Sequence, residues 1–101
     1  MVIEMNETLL EDVKSRLRIT WNDEDAQLIK TIERGKAYLQ NLCGTSFSFG
    51  EEDQVKQLLI ERCRYEYNNA LEDFGKNFRG ELQRLIIDAA LKERAKDEVI
   101  Q

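Results

Sequence analysis

The sequence has 101 residues, which is enough for one small hydrophobic core but not for two. Its formal net charge is −5, and Lys and Arg are scattered rather than concentrated, which argues against a nucleic-acid reader. No apolar stretch approaches the roughly 20 residues that span a bilayer, so we predict a single domain over residues 1–101 without membrane association.

The composition also predicts an all-α fold. Proline is absent and glycine occurs only five times, whereas β-rich folds need turn residues at short intervals. We expect a small bundle of about four helices with short loops, in which the third helix is long. Residues 92–101 lack a complete apolar face, so we expect a flexible tail there unless another molecule orders it.

The ends of the first two helices are predicted from capping patterns. Thr8 and Glu11 form a capping box, so the first helix is expected to begin at Thr8. The second helix is expected to be capped by Asn22 or Asp23. Gly44 follows its last apolar residues and is expected to end it.

Two features predict tight packing around the second helix. Gly35 falls on its apolar face, where glycine costs about 1 kcal/mol relative to alanine, so we expect another backbone to approach it closely. Phe47 and Phe49 lie in the loop that follows. Because exposing both rings is costly, we expect at least one of them to fold back onto the core.

The third helix is predicted to run from Glu51 to Phe74, and Gly75 is expected to break it. The fourth helix is expected to begin near Asn77. A third helix of this length exceeds what the rest of the domain covers on one side. We therefore expect one of its faces to contact a partner.

The residues that most catalytic and metal sites need are missing. Histidine is absent, which removes the commonest general base and every Cys–His or Ser–His–Asp arrangement. No glycine-rich phosphate loop occurs. Cys43 and Cys63 lie among apolar positions, so we expect two buried, reduced thiols, while a disulfide between them stays open. We expect no catalytic residue, no cofactor and no metal site.

The order and spacing of the apolar, capping and charged residues also indicate a family. The segments concerned are 10–14, 17–19, 23–25, 28–29, 35–39, 64–70, 77–78 and 81–82, together with Ile32, Gly44, Phe47 and Phe74. In these segments the sequence resembles the head–tail connector (adaptor) proteins of long-tailed bacteriophages and related prophages.

The resemblance implies a virion structural protein without enzymatic activity or cofactor, assembled in the host cytoplasm and located at the head–tail interface. It implies a ring of copies of the chain beneath the portal protein, which extends the DNA channel and binds a stopper or tail-completion protein. DNA is then expected to pass through without sequence-specific binding, and an acidic wall suits this because it repels phosphates. The alternative hypothesis is a small cytosolic helical regulator that binds a bacterial partner protein.

Eight residues are candidates for contacts with such partners. They are Phe47, Phe49, Tyr65, Tyr67, Lys92, Arg94, Val99 and Ile100. The segment 92–101 is the candidate for portal docking, and the loop 45–50 is the candidate for a contact with a neighbour or the next ring. Tyr65, Glu66 and Tyr67 alternate between faces of one helix, so we expect an interface or a solvated flank there and not a pocket.

Overall fold

A computed structural model describes the backbone of residues 2–49 and 54–100 and the side chains of residues 8–49 and 54–94. These residues form five α-helices and no strand, which confirms the all-α prediction with one helix more than expected. The helices are α1 (Val2–Leu17), α2 (Asp25–Cys43), α3 (Gln54–Tyr67), α4 (Leu71–Asn77) and α5 (Arg79–Ile100).

Helix α3 lies at the centre of the fold, where it packs against α1, α2 and α4. The apolar residues that α3 buries are Val55, Leu58, Leu59, Ile60 and Cys63. They meet buried side chains of the neighbouring helices, which include Leu9, Val13, Leu28, Ile32, Leu39 and Phe74. Because these three helices pack against α3, no apolar face of α3 is left uncovered. The uncovered face that the predicted length implied is therefore not present.

The predicted long third helix is divided in the structure, so its predicted extent is wrong. Asn69 has a φ of 58°, in the left-handed region that asparagine tolerates better than most residues. The chain reverses there and continues as α4. Gly75 lies inside α4 and does not break it, and the predicted start at Glu51 lies outside the described residues.

Aromatic contacts explain why the chain turns at this point. The ring of Phe74 lies 5.8 Å from that of Tyr65 and 6.3 Å from that of Tyr38 on α2. In a straight helix, positions 65 and 74 are about 13 Å apart along the axis. The turn therefore brings Phe74 into the core, where it is only 2% exposed. Each such aromatic pair contributes about 0.5–1.5 kcal/mol beyond its buried area.

Helices α1, α2 and α3 end in the same way. Each is followed by a residue with positive φ, and these residues are Arg18, Gly44 and Asn69. In each case the next N–H donates to the carbonyl five residues earlier, at 2.8–3.2 Å, as in a Schellman motif. The prediction that Gly44 ends α2 is confirmed, whereas Arg18 and Asn69 carry no comparable sequence signal.

The predicted capping box of the first helix is wrong. Helix α1 already begins at Val2, so Thr8 and Glu11 lie within it. An N-cap residue needs a non-helical backbone. The segment before Thr8 contains no proline or glycine that would prevent the helix from extending over it.

The predicted cap of α2 is also wrong. Glu24 occupies the N-cap position, with φ −104° and ψ 8°, and makes no side-chain capping bond. The Asn22 side chain instead accepts a hydrogen bond from Lys14 Nζ at 2.7 Å. Lys14 also pairs with Asp25 at 2.7 Å. These polar side chains thus join the end of α1 to the start of α2.

Gly35 marks the closest approach between α2 and α3. A Cβ placed on Gly35 would lie 2.6 Å from Leu59 Cδ1, and Leu59 is fully buried. The predicted close approach is therefore present. The approaching group is a side chain, however, and the expectation of another backbone is wrong.

We predict that Gly35→Ala lowers the free energy of unfolding by about 1–2 kcal/mol, because the new methyl group displaces the fully buried Leu59 side chain. Urea unfolding followed by circular dichroism measures this. Gly75→Ala is the matched control, since its Cβ meets nothing within 4 Å. That variant should gain about 0.5–1 kcal/mol. Equal changes in the two variants would contradict the proposed packing.

Candidate interaction surface

The loop after α2 turns one phenylalanine into the core and leaves the other at its edge. Phe49 is 3% exposed and Phe47 is half-buried, with ring centroids 5.8 Å apart. The backbone N–H of Phe47 donates to Gln40 Oε1 at 2.9 Å, which ties the loop to α2. The prediction that at least one ring folds back is confirmed, and Phe49 presents almost no ring surface to a partner.

Two of the candidate residues lie together between this loop and α5. Phe47 and Lys92 line an open hollow of about 240 Å³, with Val55 at its base. Thr45 Oγ1 donates to Glu93 Oε1 at 3.2 Å and holds the loop against the helix. The loop and the later turns of α5 therefore form one continuous surface.

The remaining C-terminal candidates lie farther along α5. Arg94 is exposed, and the backbone of α5 continues as a helix to Ile100. The side chains of Val99 and Ile100 lie outside the described residues.

Tyr65 and Tyr67 point to different parts of the fold, as the alternation predicted. The Tyr65 ring lies 5.6 Å from that of Phe78, and its hydroxyl accepts a hydrogen bond from Asn77 Nδ2 at 3.0 Å. Tyr67 donates to Glu24 Oε2 at 3.1 Å, and this bond raises the pKa of Tyr67. The two candidates therefore do not form one site.

Glu66 and Tyr67 line an open hollow of about 400 Å³ beside α2, so the expectation of no pocket needs correction. The Glu66 carboxylate accepts a hydrogen bond from Arg34 Nε at 3.0 Å and pairs with Arg62 at 3.3 Å. These two guanidinium groups balance its charge. Glu66 therefore joins α2 to α3 and is poorly placed to hold a ligand.

Both cysteines are free thiols, as expected. Cys63 is fully buried, and burial, reinforced by the charge of Glu66, raises its pKa to about 12. Cys43 is half-buried, and burial raises the pKa of that thiol too. Among the described side chains, no cluster of three or more Cys, Asp and Glu residues is placed to hold a metal ion. In the same part of the chain, no helix is long and apolar enough to cross a membrane.

Sequence reasoning missed the most exposed apolar side chains. In the described part of the chain, the large apolar side chains that are exposed are Trp21, Leu42, Ile87 and Leu91. Leu42 lies near the C-terminal end of α2 and is 37% exposed. Ile87 and Leu91 are four residues apart and lie off the buried stripe of α5, and this spacing was the available signal.

We predict that iodoacetamide at pH 8 modifies Cys43 in the folded protein, while Cys63 reacts only in urea, because the thiolate is the reactive form. Mass spectrometry of tryptic peptides measures this. Equal modification of both thiols without urea would contradict the burial of Cys63.

Between pH 9.0 and about 12, the unfolded chain releases the Cys63 proton first. The free energy of unfolding therefore falls as pH rises, by at most about 1.4 kcal/mol per pH unit from this group. A Cys63→Ala variant should lack that contribution.

Comparison with known proteins identifies a family. A family model described as phage gp6-like head-tail connector protein matches residues 7–73, from α1 into α4. No curated protein and no solved structure matches the chain. The matched family is structural and non-enzymatic. Since the match covers about two thirds of the sequence, the chain belongs to the phage gp6-like head–tail connector family.

Proposed function

We propose that the chain is one subunit of a ring that docks beneath the portal protein of a filled capsid, extends the DNA channel and binds a stopper or tail-completion protein. The observation that carries this proposal is the family match over residues 7–73. A structural role as a head–tail connector, a location in the virion and contact with other head and tail proteins follow from the family itself. The ring of subunits, the contact with the portal protein and the contact with the stopper go beyond the family and are what we propose.

The charge of the chain supports a DNA channel. With a formal net charge of −5, a ring of copies presents a surface that repels phosphates. Such a wall lets DNA slide without the counterion release that holds DNA on basic proteins. Passage without sequence-specific binding follows from the same repulsion.

The geometry of α5 supports portal docking by residues 92–101. Among the described side chains of α5, Ala89 is the last that the core buries, and residues 90–94 are exposed. The helical backbone continues beyond them to Ile100. The exposed residues 90–94 are therefore in a position to reach a second protein. The loop with Phe47, which lies against the same helix, is the proposed contact with a neighbour.

We predict that mixing the purified chain with portal particles of the same phage adds a ring of density in electron micrographs. Tyr67→Phe, which keeps the ring but removes the hydroxyl bonded to Glu24, serves as a conservative control and should add the same ring. Portal particles that stay unchanged would refute the proposal. Capture of a cytosolic bacterial protein by the same chain would then favour the regulator hypothesis.

We predict that deletion of residues 95–101 abolishes portal binding in a sedimentation assay, while the helical signal in circular dichroism falls only in proportion to the residues removed. This truncation keeps the contact between Thr45 and Glu93, so the loop stays attached to α5. Glu72→Gln, on the exposed side of α4, is the matched control and should bind normally. Retained binding by the truncated chain would remove the docking assignment.

A further inference from the structure

The side of α5 that faces away from the core carries apolar and basic residues. Leu85 and Ala89 face the core and are 7% and 6% exposed. On the opposite side lies the α5 stripe, which consists of Arg84, Ile87, Leu91 and Arg94. Spacings of three and four residues place these side chains along one line of a helix. Ile87 is 59% exposed and Leu91 is 57% exposed.

The chemistry of the α5 stripe restricts what can cover it. Its two apolar side chains lie between two guanidinium groups, and the exposed carboxylate of Asp88 is displaced to one side of them. A complementary surface therefore needs a large apolar group beside negative charge.

A surface of that kind occurs elsewhere on the same chain, in the turn between α1 and α2. Trp21 is 46% exposed, and its Nε1 donates to Glu24 Oε2 at 2.6 Å, which orients the indole. Asp23 is exposed beside it, and the carboxylates of the turn outnumber its one cation, Arg18. We call residues 18–24 the Trp21 turn.

The two surfaces lie at opposite ends of α2, so one molecule cannot bring them together. The Trp21 turn precedes the first residue of α2, whereas the bond between Thr45 and Glu93 places the later turns of α5 beside its last residues. Helix α2 is about 27 Å long at 1.5 Å per residue. A second copy of the chain is therefore the occupant that the charges and the positions fit.

We propose that the α5 stripe of one protomer docks on the Trp21 turn of the next. The indole of Trp21 packs on Ile87 and Leu91, and the flanking Arg84 faces the carboxylate of Asp23. Tryptophan and arginine are the residues that most often dominate binding energy at interfaces. Because two different surfaces meet, the contact is head-to-tail and builds a ring when the rotation closes. The inference rests on the proposed ring, to which it assigns the subunit contact.

Cross-linking between exposed positions beside the contact tests the proposal. In a Cys43→Ser background, Thr20→Cys places a thiol within the Trp21 turn and Ala90→Cys places one beside the α5 stripe. Trp21, Asp23 and the stripe residues stay unchanged, and the buried Cys63 stays unreactive. With a short bis-maleimide, an equal mixture of the two variants should give covalent dimers. A chain with both substitutions should give a ladder of larger products, in concentrated solution or on portal particles. Ala37→Cys, exposed on α2, replaces Ala90→Cys in the control and should give none.

Substitutions within the contact supply the second measurement. Trp21→Ala and the pair Ile87→Ser with Leu91→Ser should each reduce the mixed dimer about tenfold, as expected for the loss of interface anchors. More than half of Ile87 and Leu91 is exposed, so the fold should persist, and circular dichroism checks this. Leu42→Ser, an exposed apolar residue outside both surfaces, is the matched control and should leave the cross-link unchanged.

Two results would overturn the proposal. One is the formation of dimers by the Ala90→Cys variant alone, which would mean that two α5 stripes pair with each other. The other is the absence of a mixed dimer both in concentrated solution and on portal particles. Portal binding is scored separately. A portal ring without the mixed cross-link would refute this contact but keep the proposed function. A cross-linked ladder that leaves portal particles unchanged would support this contact but refute the proposed function.

Discussion

The close approach of α2 and α3 is the constraint on which the rest of the structure depends. Leu59 occupies the space that a Cβ at position 35 would need, so the two helices meet where α2 has no side chain. Arg34 and Glu66 add an ion pair at the same interface. Helix α1 packs against both α2 and α3, α4 folds back onto α3 through Phe74, and α5 packs along α2 and α4. A looser contact at position 35 would therefore also disturb the packing of α1, α4 and α5, each of which contacts α2 or α3.

The function of the protein therefore depends on its surface and not on its core, as suits a structural protein of the virion. The hollow beside Glu66 is lined by groups that already serve as contacts between helices, and the buried thiol of Cys63 is held in its unreactive form. The three most exposed large apolar side chains of the described residues instead lie in the α5 stripe and in the Trp21 turn, at the two ends of α2. The proposed ring, in which each subunit contacts two others, needs separate surfaces of this kind.

Part of the fold and part of the surface were predictable because they depend on local chemistry. Gly44 adopts the left-handed conformation that glycine permits, so its position after an apolar run located the end of α2. At least one of Phe47 and Phe49 was expected to fold back because exposing both rings is costly, and Phe49 does so. The spacing of Ile87 and Leu91 can also be read from the sequence. It indicates an exposed apolar stripe only when the other face of α5 is known to be covered.

By itself, the sequence determined the helical fold class, the absence of histidine and the residues that carry the family resemblance, because composition and spacing are sufficient for each. Only the tertiary structure decided where α3 ends, since Asn69 turns the chain to bury Phe74 and that gain comes from contacts with other helices. It also decided that the caps of α1 and α2 are not the expected ones, and that Trp21 lies far from the α5 stripe. Such outcomes depend on packing between segments distant in the chain, which local propensity does not encode.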